Sequence, residues 1–106
     1  MATRDIAGKE VQVNDEGFMT AATEWNKDIA AAIAAEEGIP ELTAAHWTVI
    51  DWARDTAKNM DWKSPTIRQI TTSTGVNTKQ LFALFPKGPA KKVARVAGLG
   101  KPEGCV

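Results

Sequence analysis

The sequence has 106 residues, of which 43% are hydrophobic and 25% are charged. This length fits one domain, and the composition excludes disordered and collagen-like chains. The longest stretch without charge or proline is about half of the roughly 20 residues that a membrane-spanning helix needs. The single cysteine has no partner for an intramolecular disulfide. We therefore expect a cytoplasmic protein that has no membrane span and is held together by its hydrophobic core.

The net charge of zero conceals a strong asymmetry along the chain. Residues 1–60 carry five basic and eleven acidic side chains, whereas residues 61–106 carry eight basic and two acidic ones. No acidic residue lies between Lys63 and Lys101. Two interpretations remain open. Either the acidic half packs on the basic half, or the basic half meets an anionic partner such as nucleic acid, an acidic protein face, or a sulfur or phosphate group.

Residues 6–18 predict a small β-hairpin. Val11 and Val13 alternate with polar neighbours, and the segment from Asn14 to Gly17 has the composition of a turn. Because an isolated two-stranded hairpin is only marginally stable, we expect it to lie against helices.

Two amphipathic helices are predicted next. The first opens at Thr23 and runs to about Glu37, and Gly38 ends it. The second and longer helix is capped by Thr43. Their apolar stripes predict the buried faces, which comprise Trp25, Ile29 and Ile33 in the first helix and Trp47, Ile50, Ala53, Ala57 and Met60 in the second.

Three short helices follow. The pair Ser64-Pro65 predicts a helix start that combines a capping hydroxyl with proline in the first turn, and this helix ends near Gly75. Asn77 caps the next helix. The ranges predicted for the last two helices are 78–85 and 89–97, with Gly98 as the final stop.

The fold class predicted from these elements is mainly α. A small N-terminal β-hairpin joins a five-helix orthogonal bundle over residues 1–97, and residues 98–106 form a flexible C-terminal arm that carries Cys105. The arm is rich in glycine and proline and has no periodicity.

Metal binding and hydrolytic catalysis have little support in the sequence. The only histidine, His46, and the only cysteine, Cys105, do not form any spacing typical of a metal site. A lone histidine on a helix is more typical of a satisfied, partly buried residue than of a ligand or a base. A cysteine on a mobile tail also lacks the rigid oxyanion hole that a hydrolase needs. We expect neither a metal nor a cofactor.

Residues 65–85 have the outline of a helix-turn-helix in a basic setting. If this unit read DNA, its second helix would present Asn77, Thr78, Lys79 and Gln80, whose side chains suit base edges and phosphates. Any set of short helices packed at steep angles gives a similar sequence pattern. DNA binding is therefore kept as an alternative.

Cys105 is the residue most suited to carry chemistry. A cysteine at the end of a glycine- and proline-rich arm is exposed, whereas free cysteines are usually buried. Lys101 and the basic helix with Lys91 and Arg95 are expected to lower its pKa and favour the thiolate. An arm of about eight residues reaches roughly 25 Å, which is enough to bring the thiol into a partner's active site, as in a swinging carrier.

The sequence AGLGKPEGCV, residues 97–106, resembles the C-terminal arm of the DsrC/TusE family. This family comprises the small gamma-type protein of dissimilatory sulfite reductase and its sulfur-relay relatives. The likeness extends upstream through residues 84–91, through the pattern Leu42-Thr43-x-x-His46-Trp47, and to segments 8–9 and 15–18. The resemblance implies a mostly helical fold with an N-terminal hairpin and a helix-turn-helix-like core. It also implies that Cys105 bears sulfur as a persulfide and passes it between partner proteins.

Three positions depart from the family pattern. Members that serve sulfite reductase carry a second arm cysteine eleven positions before the penultimate one, and here that position is Ala94. The connection over residues 75–77 is short, as in reductase-associated members and unlike single-cysteine relay proteins. Gly100 replaces the usual proline, so the arm should be looser.

The predicted function is a sulfur carrier that accepts sulfane sulfur on Cys105 and passes it to a partner, either in sulfur oxidation or reduction or in tRNA thiolation. Lys91, Arg95, Lys101 and Gly104 are its predicted supporting residues. The expected partners are sulfur-donor and sulfur-acceptor proteins, and the expected oligomeric state is a monomer. Whether the chain is an enzyme or a protein co-substrate stays open. The alternatives are a regulatory DNA-binding protein and a non-catalytic subunit associated with sulfite reductase.

Overall fold

A β-hairpin and five helices make up the computed structural model, which describes residues 2–14, 17–86 and 88–100. Strands β1 (Ala2–Ile6) and β2 (Lys9–Val13) pair antiparallel, with Ile6 opposite Lys9. The two residues between them have positive φ angles, 53° at Ala7 and 79° at Gly8. Such a pair of left-handed residues closes a two-residue hairpin turn.

The predicted position of the hairpin turn is therefore wrong, although the hairpin itself is confirmed. The segment that begins at Asn14 does reverse the chain, because the amide of Gly17 donates to the Asn14 carbonyl at 3.0 Å. It leads only to an isolated bridge between Val13 and Met19. The strand that pairs with β2 along its whole length is β1, which precedes β2 in the chain. The predicted hairpin therefore starts too far along the sequence.

Helix α1 spans Lys27–Glu36. It begins three to four residues later than predicted and ends one residue earlier. The side chain of Asn26 accepts from the Ile29 amide at 2.9 Å and so fixes the first turn. Trp25 stays outside the helix in an extended conformation, with φ −69° and ψ 144°. Ile29 and Ile33 are buried as predicted.

Helix α2 spans Ala44–Lys58 and begins at the predicted cap, Thr43. Three residues of the predicted stripe, Ile50, Ala53 and Ala57, are buried, and the other two are not. Trp47 is only partly buried, and Met60 lies beyond the helix and is 41% exposed. The buried face of α2 consists of His46, Val49, Ile50, Ala53 and Ala57.

Helix α3 spans Ile67–Thr74, so the predicted start at Ser64-Pro65 is wrong by about two residues. Thr66 is the cap, because its hydroxyl accepts from the Gln69 amide at 3.2 Å while the Gln69 side chain accepts from the Thr66 amide at 2.9 Å. The Ser64 hydroxyl has another partner, described below. Gly75 ends the helix in the left-handed region, with φ 78°.

Helices α4 (Thr78–Leu84) and α5 (Pro89–Val96) start at the predicted positions and end one residue early. Helix α5 packs against α1, α2 and α4, and the hairpin lies on α1. The resulting core is mostly aliphatic, and its largest fully buried members include Phe18, Ile29, Ile50, Ile70, Leu81, Phe85 and Leu99. No helix among the described residues is long and apolar enough to cross a membrane.

Candidate functional site

The predicted sulfur-bearing residue, Cys105, lies outside the described residues, as do Lys101 and Gly104. Their predicted roles stay predictions. The structure does describe the point at which the predicted arm leaves the body, over residues 98–100, together with Lys91 and Arg95 on α5. The candidate site is therefore built from the root of the arm outward.

The end of α5 has a complete Schellman motif. Gly98 adopts φ 71°, its amide donates to the Arg95 carbonyl at 3.2 Å, and the Leu99 amide donates to the Ala94 carbonyl at 2.8 Å. Leu99 is 1% exposed and belongs to the main core. The first residues of the predicted arm are thus packed on the body, while the proposed division between residues 1–97 and 98–106 stays a prediction.

Three side chains from separate parts of the chain donate to backbone carbonyls at this root. Trp25 Nε1 donates to the Val96 carbonyl at 2.7 Å, and an Arg54 nitrogen donates to the Ala97 carbonyl at 2.8 Å. The Ser64 hydroxyl donates to the Gly100 carbonyl at 2.5 Å. The last carbonyls of a helix have no partner within the helix. Here side chains or the Schellman turn hold the carbonyls of residues 94–97 and that of Gly100.

Arg54 is stacked between two indole rings. Its guanidinium carbon lies 4.1 Å from the centre of the Trp25 ring and 5.0 Å from that of Trp62. A second nitrogen donates to the Ala22 carbonyl at 3.1 Å. Burial lowers the pKa of Arg54, but a guanidinium remains protonated in proteins. A fixed positive charge therefore sits at the C-terminal end of α5, where the helix dipole favours it.

The basic residues on α5 differ in their surroundings. Arg95 forms an ion pair with Glu37 at 2.6 Å, and Lys92 donates to the Glu37 carbonyl. Arg95 also lies 4.9 Å from the centre of the Phe18 ring. This pair joins the acidic half of the chain to the basic half, as one of the two interpretations of the charge asymmetry requires. Lys91 is partly exposed on the same helix.

His46 has a structural role, in agreement with the prediction. It is 6% exposed, and its Nδ1 accepts from the Thr43 amide at 3.0 Å. Because Nδ1 is an acceptor, the ring proton lies on Nε2, which donates to the Leu84 carbonyl at 2.8 Å. The ring also makes an edge contact with Phe85, with the ring centres 5.2 Å apart.

Helices α3 and α4 do form the predicted helix-turn-helix-like unit, with exposed Asn77, Thr78, Lys79 and Gln80 at the start of α4. Asn77 and Gln80 are used in a reciprocal cap, in which each side chain accepts from the backbone amide of the other, at 2.8 and 3.1 Å. Within the described ranges, no group of three or more His, Cys, Asp or Glu side chains is arranged to hold a metal ion.

The residues that hold the arm root are not predictable from local patterns. The spacing of Trp25 predicts a helix face, the Ser64 hydroxyl before proline predicts a cap, and Arg54 contributes only to the charge count. Arg54 lies between Asp51 and Asp55 on α2, which predicts local ion pairs. No local pattern indicates that its partner lies 43 positions away.

A hairpin and five helices, of which the last ends in an anchored turn, define a small, mainly α-helical protein. A comparison with family models identifies it further. The chain belongs to the DsrC-like protein family, whose model matches residues 5–106.

Named relatives and solved structures agree with this assignment. The chain is 40% identical to the sulfurtransferase TusE of Salmonella paratyphi A and 36% identical to that of Escherichia coli, in each case over 93% of this chain and 95% of the relative. It superposes on a crystal structure of dissimilatory sulfite reductase I (DsrI) with a TM-score of 0.86 at 34% identity, covering 99% and 100% of the two chains. For the NMR structure of DsrC from Allochromatium vinosum the TM-score is 0.83 at 35% identity, with 98% and 97% covered.

These comparisons confirm the family resemblance seen in the sequence. They do not favour the DNA-binding alternative or the non-catalytic subunit, because the curated relatives are named sulfurtransferases. Ala94, which stands where two-cysteine members of the family carry the second arm cysteine, is fully buried in α5, and its carbonyl takes part in the Schellman turn.

Proposed function

We propose that this protein is a sulfur-relay carrier in which Cys105 accepts sulfane sulfur from a donor protein and delivers it to an acceptor protein. The observation that carries the proposal is the similarity to sulfurtransferases named TusE, at 40% identity over 93% of the chain. The family match also includes the segment that contains Cys105.

The proposed transfer requires only thiol chemistry. The Cys105 thiolate attacks the outer sulfur of a donor persulfide, a new sulfur–sulfur bond forms, and the donor's sulfur–sulfur bond breaks. The donor leaves as a thiolate, and the proton stays on the transferred sulfur. In the second step an acceptor thiolate attacks the outer sulfur on Cys105, which returns Cys105 to its thiolate form. No external oxidant or reductant is consumed.

Each supporting residue has a proposed part in this cycle. Lys101, together with Lys91 and Arg95 on α5, is proposed to stabilise the thiolate and an anionic group of the partner. Gly104 is proposed to let the chain bend beside the thiol as it enters a partner's site. We also propose that the carrier acts in the cytoplasm as a monomer.

The test is mass spectrometry of the full chain after incubation with glutathione persulfide, followed by digestion to locate the adduct. We expect an adduct of one additional sulfur atom on the peptide that contains Cys105, and its loss after addition of a thiol acceptor. Cys105→Ser should acquire no sulfur. Equal labelling of Cys105→Ser would show that this mechanism is wrong.

A further inference from the structure

We propose that Trp25, Arg54 and Ser64 are positioning residues that anchor the root of the arm and place its pivot after Gly100. This inference rests on the proposed carrier function and gives it a defined geometry. The sequence alone placed the start of the arm at residue 98, directly after the last helix.

Hydrogen bonds to the arm root come from three separate parts of the chain. Trp25 precedes α1, Arg54 lies on α2 and Ser64 precedes α3, and all three donate to carbonyls within residues 96–100. Carbonyls at the end of an exposed helix are ordinarily satisfied by water or by the turn itself. The Schellman turn already satisfies Ala94 and Arg95. Trp25 and Arg54 hold the Val96 and Ala97 carbonyls within this turn, and Ser64 holds the Gly100 carbonyl beyond it. Together they fix the direction in which the chain leaves the turn.

The side chains that hold the arm root are themselves fixed in place. Arg54 is stacked between Trp25 and Trp62 and donates to two carbonyls, at 2.8 and 3.1 Å. A planar guanidinium with several donors in a fixed fork loses little freedom for each bond that it makes. The side chain of Leu99 is buried in the core. It adds an apolar contact between the hydrogen bonds to the Ala97 and Gly100 carbonyls.

The consequence concerns the reach of the thiol. Cys105 lies five positions after Gly100, and a fully extended chain of five residues spans about 17 Å. Eight residues, counted from the predicted boundary, would span about 25 Å. The effective concentration of a tethered group falls with roughly the −3/2 power of the tether length, so a tether of five residues holds the thiol near the root at about twice the local concentration that a tether of eight would give. A partner that docks at the root would therefore meet the thiol more often and from a narrower range of directions.

The test compares the full-length wild type with the double variant Trp25→Phe/Ser64→Ala. Ser64→Ala deletes only the hydroxyl donor, whereas Trp25→Phe deletes the indole N–H and also shrinks the ring that stacks on Arg54 and packs on Gly98. The matched control is Trp47→Phe/Thr48→Ala, which deletes an indole N–H and a hydroxyl on α2, where the Thr48 hydroxyl donates to the Ala44 carbonyl. The single variant Arg54→Gln removes the donor to the Ala97 carbonyl and leaves Trp25 and Ser64 in place. Ser64→Thr keeps a hydroxyl at position 64.

The first readout is the ¹⁵N order parameter of each backbone amide. In the wild type we expect values near 0.85 at Leu99 and Gly100, as in rigid backbone, and a decrease only beyond Gly100. In the double variant the value at Gly100 should fall below about 0.6, whereas the helices keep their values. Ser64→Thr and the control should match the wild type. A wild-type value below about 0.6 at Gly100, or no change in the double variant and in Arg54→Gln, would overturn the proposal.

The second readout is the broadening of body amides by a spin label attached to Cys105. In the double variant the Schellman turn and the buried Leu99 still hold the chain up to residue 99. The tether therefore lengthens by one residue, and the broadening around the arm root should weaken by about 1.3-fold. An unchanged pattern would contradict the proposed pivot.

Reaction with glutathione persulfide separates this inference from the proposed function. This small donor needs no docking, so all variants should load at the wild-type rate. If the wild type does not load, the carrier function is wrong while the order parameters still decide the anchor. If loading is normal and the order parameters do not change, only the anchor is wrong.

Discussion

Trp25 and Gly98 are in such close contact that no side chain fits at position 98. A Cβ atom built there would lie 2.5 Å from Trp25 Cδ1 and 2.8 Å from Cγ. Gly98 also has φ 71°, a left-handed conformation that favours glycine. The same indole therefore donates to the Val96 carbonyl and packs on the glycine two residues later, which ties the start of the chain to the root of the arm.

This contact predicts that Gly98→Ala is more destabilising than an equivalent change elsewhere. Gly38 is a close match, because it ends α1 in the same turn type: its amide donates to Ala35, the Ile39 amide donates to Ala34, and φ is 86°. Nothing lies within 4 Å of a Cβ at Gly38. Gly38→Ala should cost only the strain of a left-handed alanine, about 1–2 kcal/mol. Gly98→Ala should cost about 1–3 kcal/mol more, because the indole must move.

Urea denaturation of the two variants measures this difference. Gly100→Ala serves as the baseline, since Gly100 has no positive φ and nothing lies within 4 Å of its Cβ. Its effect should stay within about 0.5 kcal/mol. Equal costs for Gly38→Ala and Gly98→Ala would show that the Trp25 contact is loose.

A second prediction concerns His46, which links the start of α2 to the end of α4. His46→Leu leaves the Thr43 amide and the Leu84 carbonyl without their side-chain partner, so we expect a loss of about 1–3 kcal/mol in the free energy of unfolding. Gln69→Leu is the control: it removes the equivalent residue from the exposed cap of α3 and should cost less than about 1 kcal/mol. Similar losses in the two variants would contradict the role of burial.

The helical part of the fold was predictable because the caps and stops are local. Thr43 and Asn77 begin helices through capping boxes with the residue three positions later. Gly75 and Pro89 mark helix ends through their own backbone conformation. The errors occur where two local signals compete. Asn26 overrides Thr23 as a cap, and Thr66 overrides Ser64.

The arm root was not predictable because its contacts are long-range. The donor and acceptor of the Trp25 bond are 71 positions apart, and those of the Ser64 bond are 36 apart. A hydroxyl before proline predicts a helix cap, and an indole at a four-residue spacing predicts a helix face. Only the packed structure shows that both side chains serve the end of α5.

A third prediction concerns the thiolate. The charge of Arg95 is directed to Glu37 at 2.6 Å, whereas Lys101 is four residues from Cys105 in the chain. Opposite charges about 8 Å apart in water attract by about 0.5 kcal/mol, which corresponds to about twofold in the thiolate fraction. Lys101→Gln should therefore slow the alkylation of Cys105 by iodoacetamide about twofold at neutral pH, and Arg95→Gln should slow it less.

The alkylation rates are to be compared at low and high salt. Screening should remove the difference between Lys101→Gln and the wild type at about 1 M salt, where the Debye length is about 3 Å. Lys9→Gln, a change in the hairpin, is the control for net charge and should have no effect. If Arg95→Gln has the larger effect, the cation that supports the thiolate lies on α5 instead of on the arm.

The last prediction tests whether the arm folds back onto α5. The Leu99 amide lies 2.8 Å from the Ala94 carbonyl, so the chain already turns back towards Ala94 where the arm begins. We expect Ala94→Cys to form an intramolecular disulfide with Cys105 on oxidation, because the five residues between Leu99 and Cys105 include two glycines and can bring the two Cα atoms within roughly 4.4–6.8 Å. Since Ala94 is fully buried, closure requires local opening at the end of α5 and should be slow. Ala45→Cys is the control: it is exposed at the start of α2, nine positions before Arg54, and should give only intermolecular dimers. Non-reducing electrophoresis separates the faster-migrating closed monomer from these dimers. If Ala94→Cys also gives only dimers, the arm does not return to α5, and the arm geometry inferred from family members with two cysteines does not apply to this chain.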